Sequence, residues 1–253
     1  MKELELAVFD HGDVAREKLA KLLMRFESDK KVHVNLEVIP WRGAWSQMVS
    51  YALYKHGPDV AEVGSTWVSD LYRMDALRPY TSQDISSFGG KEHFLENCWR
   101  VETTADDSFT PETIWSVPWT ADTRAIFYRR DLLHATGIDE TTAFKDANEF
   151  EKTLVKLQAC GFESPLVIPT VRSRLKIHNI ASWIWGSGGD FANKDFSEVA
   201  FDKPEAMKGI TQYFRLGRFL PKTQKAIEEA EVNDRFVAGK AAVTIGGHWL
   251  MWD

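Results

Sequence analysis

Residues 115–133 read W-S-V-P-W-T-A-D-T-R-A-I-F-Y-R-R-D-L-L, which places Trp119, Asp122 and Arg124 close together in one short segment. An indole offers a flat apolar face, a carboxylate accepts hydrogen bonds, and a guanidinium donates them from a rigid fork. Together they suit a polyhydroxylated ligand, whose C–H faces stack on the ring while its hydroxyls meet the charged groups. Taken singly, Trp119 reads as well as core, and Asp122 and Arg124 as well as solvated surface, as any of them does as a binding group. The cluster makes them the first candidates for a binding site.

Two further candidate groups follow short strands. Ser65, Thr66 and Trp67 come after an apolar run at 59–63, and ligands collect at the carboxyl ends of strands in open α/β sheets. Ser65 or Thr66 also reads as the N-cap of a helix over 67–74, and Trp67 as a packed first-turn aromatic. Trp249 follows a strand at 241–245 and the pair Gly246-Gly247, where it either stacks on a ligand or caps the next element. His248 reads first as a hydrogen-bonded turn histidine and second as a pH-sensitive contact.

Other chemistries find little support. Asp106 and Asp107 are adjacent in a polar stretch at 102–111 and read as a solvated turn, not as two carboxylates flanking a scissile bond. Gly186-Ser187-Gly188-Gly189 lacks the Gly-Lys-Ser/Thr of a phosphate loop, puts Phe191 where a dinucleotide fingerprint needs glycine, and fails the G-x-S-x-G pattern. It reads as a helix stop. Cys98 and Cys160 form no metal-ligand spacing, so no metal and no cofactor is expected, and a disulfide between them stays open. A net charge of −6 and a pI near 5.7 argue against nucleic acid as a partner.

The elements that must position these groups alternate along the chain. Strands are predicted at 3–9, 32–39, 59–63, 125–128, 165–169 and 241–245. Helices are predicted at 14–27, 45–54, 67–74, 131–137, 148–160, 178–186, 206–219 and 225–236. The first helix reads as amphipathic, with Leu19, Leu22, Leu23 and Phe26 expected on one face. Residues 75–87 read as polar and turn-like around Pro79, and 88–99 as mixed. Strand, helix and strand at the start imply a βαβ unit with a parallel sheet. Pro118 pushes Val117 towards extended backbone, so the chain enters the 115–133 stretch as a strand or a crossing segment. The ten tryptophans are more than a core of this size needs, which places several on a surface or in a cleft. No apolar run reaches the length of a membrane helix, and residues 1–10 lack the apolar core of a secretory signal.

Four segments carry a resemblance. D-V-A-E-V-G-S-T-W-V at 59–68, V-P-W-T-A-D-T-R-A-I-F-Y-R-R-D-L-L at 117–133, H-N-I-A-S-W-I-W-G-S-G-G-D-F at 178–191 and F-V-A-G-K-A-A-V-T-I-G-G-H-W at 236–249 resemble, in order, the extracellular solute-binding proteins of family 1. These are the sugar receptors of ABC importers that include maltose-binding protein. The resemblance implies an α/β, two-lobe periplasmic-binding-protein fold of type II, with lobes at 1–116 and 117–253 and a mono- or oligosaccharide held between them. It implies a non-catalytic receptor with an ABC permease as partner. It assigns Trp67, with Ser65 and Thr66, to the first lobe's wall, Trp119, Asp122 and Arg124 to the entry of the second, and Trp183, Trp185, His248 and Trp249 to the second lobe's wall. Family members carry a leader and continue past the G-x-W motif, so the resemblance also implies a chain incomplete at its C-terminus, with edges open to self-association. Location is periplasmic or extracellular if a leader has been removed; cytoplasmic residence stays open. Two alternatives accompany this reading: a ligand-sensing domain of an intracellular regulator using the same fold, and a glycosidase built on Asp122 and Asp190.

Overall fold

A computed structural model describes residues 2–99, 113–172, 177–193, 197–222 and 225–251. The acidic stretch containing Asp106 and Asp107 lies outside the described residues, as does the side chain of His248. The chain folds as two compact units, Met1–Ala121 and Asp122–Asp253.

Unit 1 begins with β1 (Lys2–Phe9), α1 (Asp13–Lys30) and β2 (Val32–Ile39), a right-sized βαβ in which β1 and β2 pair in parallel along their whole length. After α2 (Ala44–Tyr54) comes β3 (Val60–Ala61), parallel to β1 on its other side, so the sheet order is β2-β1-β3. Apolar alternation in β2 gives one half-buried face, whereas Ala7, Val8 and Phe9 at the end of β1 are buried on both faces. The core gathers there, from Phe9, Ile39, Ala44, Met48, Ala52, Trp67 and Leu71.

The first helix corrects one sequence expectation. Leu22 and Phe26 are exposed, and no residue of α1 is fully buried. The face turned inward is Ala15, Leu19, Leu23 and Glu27, a single i, i+4 stripe, and the Glu27 carboxylate accepts from the Val34 amide at 2.7 Å. Periodicity alone cannot choose between two overlapping leucine stripes, and the polar anchor at Glu27 settles the rotation.

Neither Ser65 nor Thr66 acts as a side-chain cap. Residues Ser65–Trp67 form a 3₁₀ turn that runs into α3 (Val68–Arg73). The stretch read as a turn near Pro79 contains α4 (Ser82–Ser87), started by a capping box in which Thr81 Oγ1 accepts from the Asp84 amide and the Asp84 carboxylate accepts from the Thr81 amide. A short 3₁₀ turn and α5 (Glu96–Trp99) follow.

Unit 2 is built on β4 (Ala125–Tyr128), α6 (Arg130–Ala135), α7 (Ala147–Ala159), β5 (Leu166–Val167), α8 (Ile177–Gly186), α9 (Pro204–Arg215), α10 (Glu229–Val237) and β6 (Val243–Gly246). The last helix begins at Glu229, later than the periodicity suggested. The sheet order is β4-β6-β5, with β6 antiparallel to β4 and parallel to β5. Leu133, Phe150, Leu154, Leu157, Leu166, Phe219 and Val243 fill the core. The helices α8 and α9 meet at Gly209, where a Cβ would lie 2.3 Å from the Trp183 carbonyl oxygen, so only glycine permits this approach. Cys98 and Cys160 are free thiols, one in each unit. Among the described residues no helix is long and apolar enough to cross a membrane.

Candidate functional site

The strand pairing of unit 2 assembles the charged candidates. Ala125 of β4 lies opposite Gly246 of β6, which brings the residues just before β4 and just after β6 to the same end of the sheet. Arg124 then places its Cζ 4.6 Å from the centre of the Trp249 ring, within cation–π range. Asp122 pairs with the same guanidinium, Oδ2 to Nη2 at 3.5 Å, and the Arg124 side chain is only 14% exposed.

Two groups that the sequence did not single out face this pair. Burial pushes the Glu229 carboxyl, at the start of α10, above its ordinary value; Arg124 opposes the shift and Asp122 adds to it. Burial and then Arg124 push the His178 imidazole, at the start of α8, downwards, with Asp122 opposing. Beside them Asn179 is buried and hydrogen-bonds the Tyr213 hydroxyl of α9, whose pKa burial raises. Among the described residues nothing hydrogen-bonds Glu229 Oε1, Asn179 Oδ1 or Arg124 Nε, although all three atoms are buried. Buried polar atoms normally have partners, so these two acceptors and one donor are the groups around Arg124 with hydrogen-bonding capacity left.

The remaining candidates are distributed differently. Trp183 packs against the core of unit 2, its ring 6.3 Å from Tyr213 and stacked 5.9 Å from Phe150. Trp185 sits at the far end of α8, seven residues and roughly 10 Å along the axis from His178. It is exposed, and its Nε1 donates to Asp190 Oδ1 at 3.0 Å. Trp119 is 60% exposed and belongs to unit 1, with Ser65, Thr66 and Trp67. Ser65 and Thr66 are exposed, whereas Trp67 is 8% exposed and packs among Phe9, Trp41 and Trp45. An open cavity of about 510 Å³ in unit 1, lined in part by Glu5, His33, Glu37, Tyr51 and His56, shares no residue with these groups. Among the described residues no set of side chains is arranged to hold a metal ion.

The model of the bacterial extracellular solute-binding protein family matches residues 11–251. The putative ABC transporter periplasmic-binding protein YcjN of Escherichia coli is 22% identical over 250 residues, covering 96% of this chain and 55% of its own length. The chain thus spans about half of that relative. An ABC transporter solute-binding protein from Thermotoga lettingae, bound with α-D-tagatose, superposes with a TM-score of 0.80 at 18% identity, covering 99% of this chain and 63% of the other. Maltose-bound MalE3 of T. maritima gives a TM-score of 0.75 at 20% identity, covering 99% and 62%. These likenesses show the α/β fold of the type II periplasmic-binding proteins. With a family match that runs through both units and includes Arg124 and Trp249, the chain belongs to the bacterial extracellular solute-binding proteins.

Proposed function

We propose that this chain is the carbohydrate-binding part of a solute receptor serving an ABC importer, exported from the cytoplasm and without catalytic activity. The observation that carries the reading is the Arg124–Trp249 stack with Asp122, His178 and Glu229 around it. An indole held in place by a guanidinium keeps an apolar surface beside groups that both donate and accept hydrogen bonds, which is the complementarity a sugar asks for. The structural relatives include proteins bound with α-D-tagatose, maltose, laminaribiose and raffinose, which supports a sugar as the ligand class.

The test is tryptophan fluorescence and calorimetry with D-tagatose, maltose, laminaribiose and raffinose as probes. A saturable response to at least one is expected, with recovery of the sugar unchanged. No response from folded protein to any of the four overturns the carbohydrate assignment, and hydrolysis or transfer of a bound sugar overturns the absence of catalysis.

A further inference from the structure

Helix α1 is 18 residues long and buries none of them fully, and its N-cap, Gly12, supplies no side-chain hydrogen bond. In a folded chain most helical stability comes from a packed apolar face. With that contribution small, the polar attachments of α1 carry more of its docking.

Those attachments are two clamps of one design, at opposite ends of the helix. In the last turn of α1, Glu27 Oε1 accepts from the Val34 amide of β2 at 2.7 Å and pairs with His33 Nδ1 at 2.7 Å. At the other end Glu62, which follows β3 and whose side chain is 7% exposed, accepts from the Phe9 amide of β1 at 2.9 Å through Oε2 and pairs with His11 Nε2 at 2.8 Å through Oε1. Each glutamate thus grips one strand amide and one imidazole. Arg16 ties the turn that carries His11 to the helix, lying 3.2 Å from Asp10 and 3.5 Å from Asp13.

An imidazolium on a carboxylate makes a charge-assisted hydrogen bond, and loss of its proton leaves a neutral one of about half the strength. The Glu62 bond raises the His11 pKa above its ordinary 6.5 against burial, and Asp10 adds to the shift. That contribution is present below 6.5 and is lost as pH rises through the folded pKa. The Val34 amide, with His33 after it, lowers the Glu27 pKa below its ordinary 4.5 against burial, so its contribution is present above 4.5 and is lost as pH falls through the folded pKa. The charged groups around His11 are Glu62, Asp10 and, beyond Asp10, Arg16 and Asp13 of α1; Trp41, edge-on at 6.0 Å, brings no charge. Besides Glu27, His33 shares an open cavity with Glu5, Glu37, Tyr51 and His56.

We propose that the two Glu–His clamps make the docking of α1 a pH-governed step of unit 1. The helix is held at both ends while the imidazoles are charged. As they lose their protons it leaves the sheet more readily, baring Leu19, Leu23 and the Val34 amide of β2.

The experiment is hydrogen–deuterium exchange by mass spectrometry on the full chain at pH 6 and 8.5, read as protection factors so that the change in intrinsic rate cancels. It compares wild type, His11→Gln, His33→Gln, their double variant and Glu62→Gln, with α2 of the same unit as internal reference. In wild type the protection of residues 13–30 is expected to fall about fivefold or more between the two pH values, as charge-assisted bonds become neutral, while α2 keeps its protection. The fall should be smaller in each single variant and absent in the double variant, whose α1 should be held as loosely at pH 6 as that of wild type at pH 8.5. Glutamine keeps a donor at both histidine positions and an acceptor for the Phe9 amide, and an intact α2 separates undocking of α1 from unfolding of the unit. If residues 13–30 of wild type keep their protection at pH 8.5, if α1 and α2 lose it together, or if the fall persists in the double variant, the proposal is overturned.

Discussion

The guanidinium of Arg124 lies over the ring of Trp249, 4.6 Å from its centre, although the two residues are far apart in the chain. A cation–π contact in a desolvated setting contributes about 2 kcal/mol, and it is lost when either partner is removed. Arg124→Met, which keeps the aliphatic stem, should weaken sugar binding roughly tenfold or more and shift tryptophan emission to the red. The double variant Arg124→Met/Trp249→Leu should be less impaired than the two single losses added together, by about 1 kcal/mol of coupling. Full additivity would show that the stack does not hold the site.

Glu229 should make the site more stable when it cannot ionise. Its folded pKa is raised by burial above the ordinary 4.5, so its contribution to stability is fully present below that value and is lost as pH rises through the folded pKa. Glu229→Gln should therefore melt at a higher temperature than wild type at pH 8, with the gap closing at pH 4. A gap that does not change with pH would remove the electrostatic account.

The opposite sign holds at His178. Burial and Arg124 depress its pKa below the ordinary 6.5, so its neutral form stabilises the fold above that value and the contribution is lost as pH falls through the folded pKa. His178→Gln should lose less stability than wild type between pH 7 and 5. In Arg124→Met the His178 ring, followed by NMR, should titrate at higher pH than in wild type.

Gly209 is a packing requirement. A Cβ there would lie 2.3 Å from the Trp183 carbonyl oxygen and 2.5 Å from Ser187 Oγ, so Gly209→Ala must push α8 and α9 apart. A loss of about 1–3 kcal/mol in denaturant unfolding is expected. Leu154→Ala, at a fully buried position of α7, should cost about 2–5 kcal/mol through the cavity it leaves. Because α8 also carries His178, only Gly209→Ala should alter sugar affinity as well.

The fold was legible where local pattern and tertiary demand agree. Residues 32–39 and 125–128 form strands within the limits the sequence sets, because alternation in one and an apolar run in the other leave little choice. The rotation of α1 was not legible, since Leu22 and Phe26 form a leucine-rich stripe as regular as the one that faces the sheet; the bond from Glu27 to Val34 that decides it crosses into the next strand. The helix after Thr81 carried a Thr-x-x-Asp capping signal that a neighbouring proline obscured. In the site, Arg124 and Trp249 were recognisable by type, but the β4–β6 register that joins them is a long-range fact. Glu229 and His178 gave no sign of their own: each is an ordinary helix-start residue until folding places it near Arg124.

The two sheets impose different timetables on a chain made from its N-terminus. Among the described strands of unit 1 the central one is the first, so both neighbours find a waiting partner and the three can pair once residue 61 has been synthesised. In unit 2 the central strand is β6, and β4 and β5 pair with it and not with each other. They must wait for residues 243–246, more than a hundred positions after β4. During that interval Ile126, Phe127, Leu166 and Val167 are apolar strand residues without a ladder, the kind of segment that chaperones bind and aggregation exploits. Slow or interrupted synthesis therefore endangers unit 2 far more than unit 1.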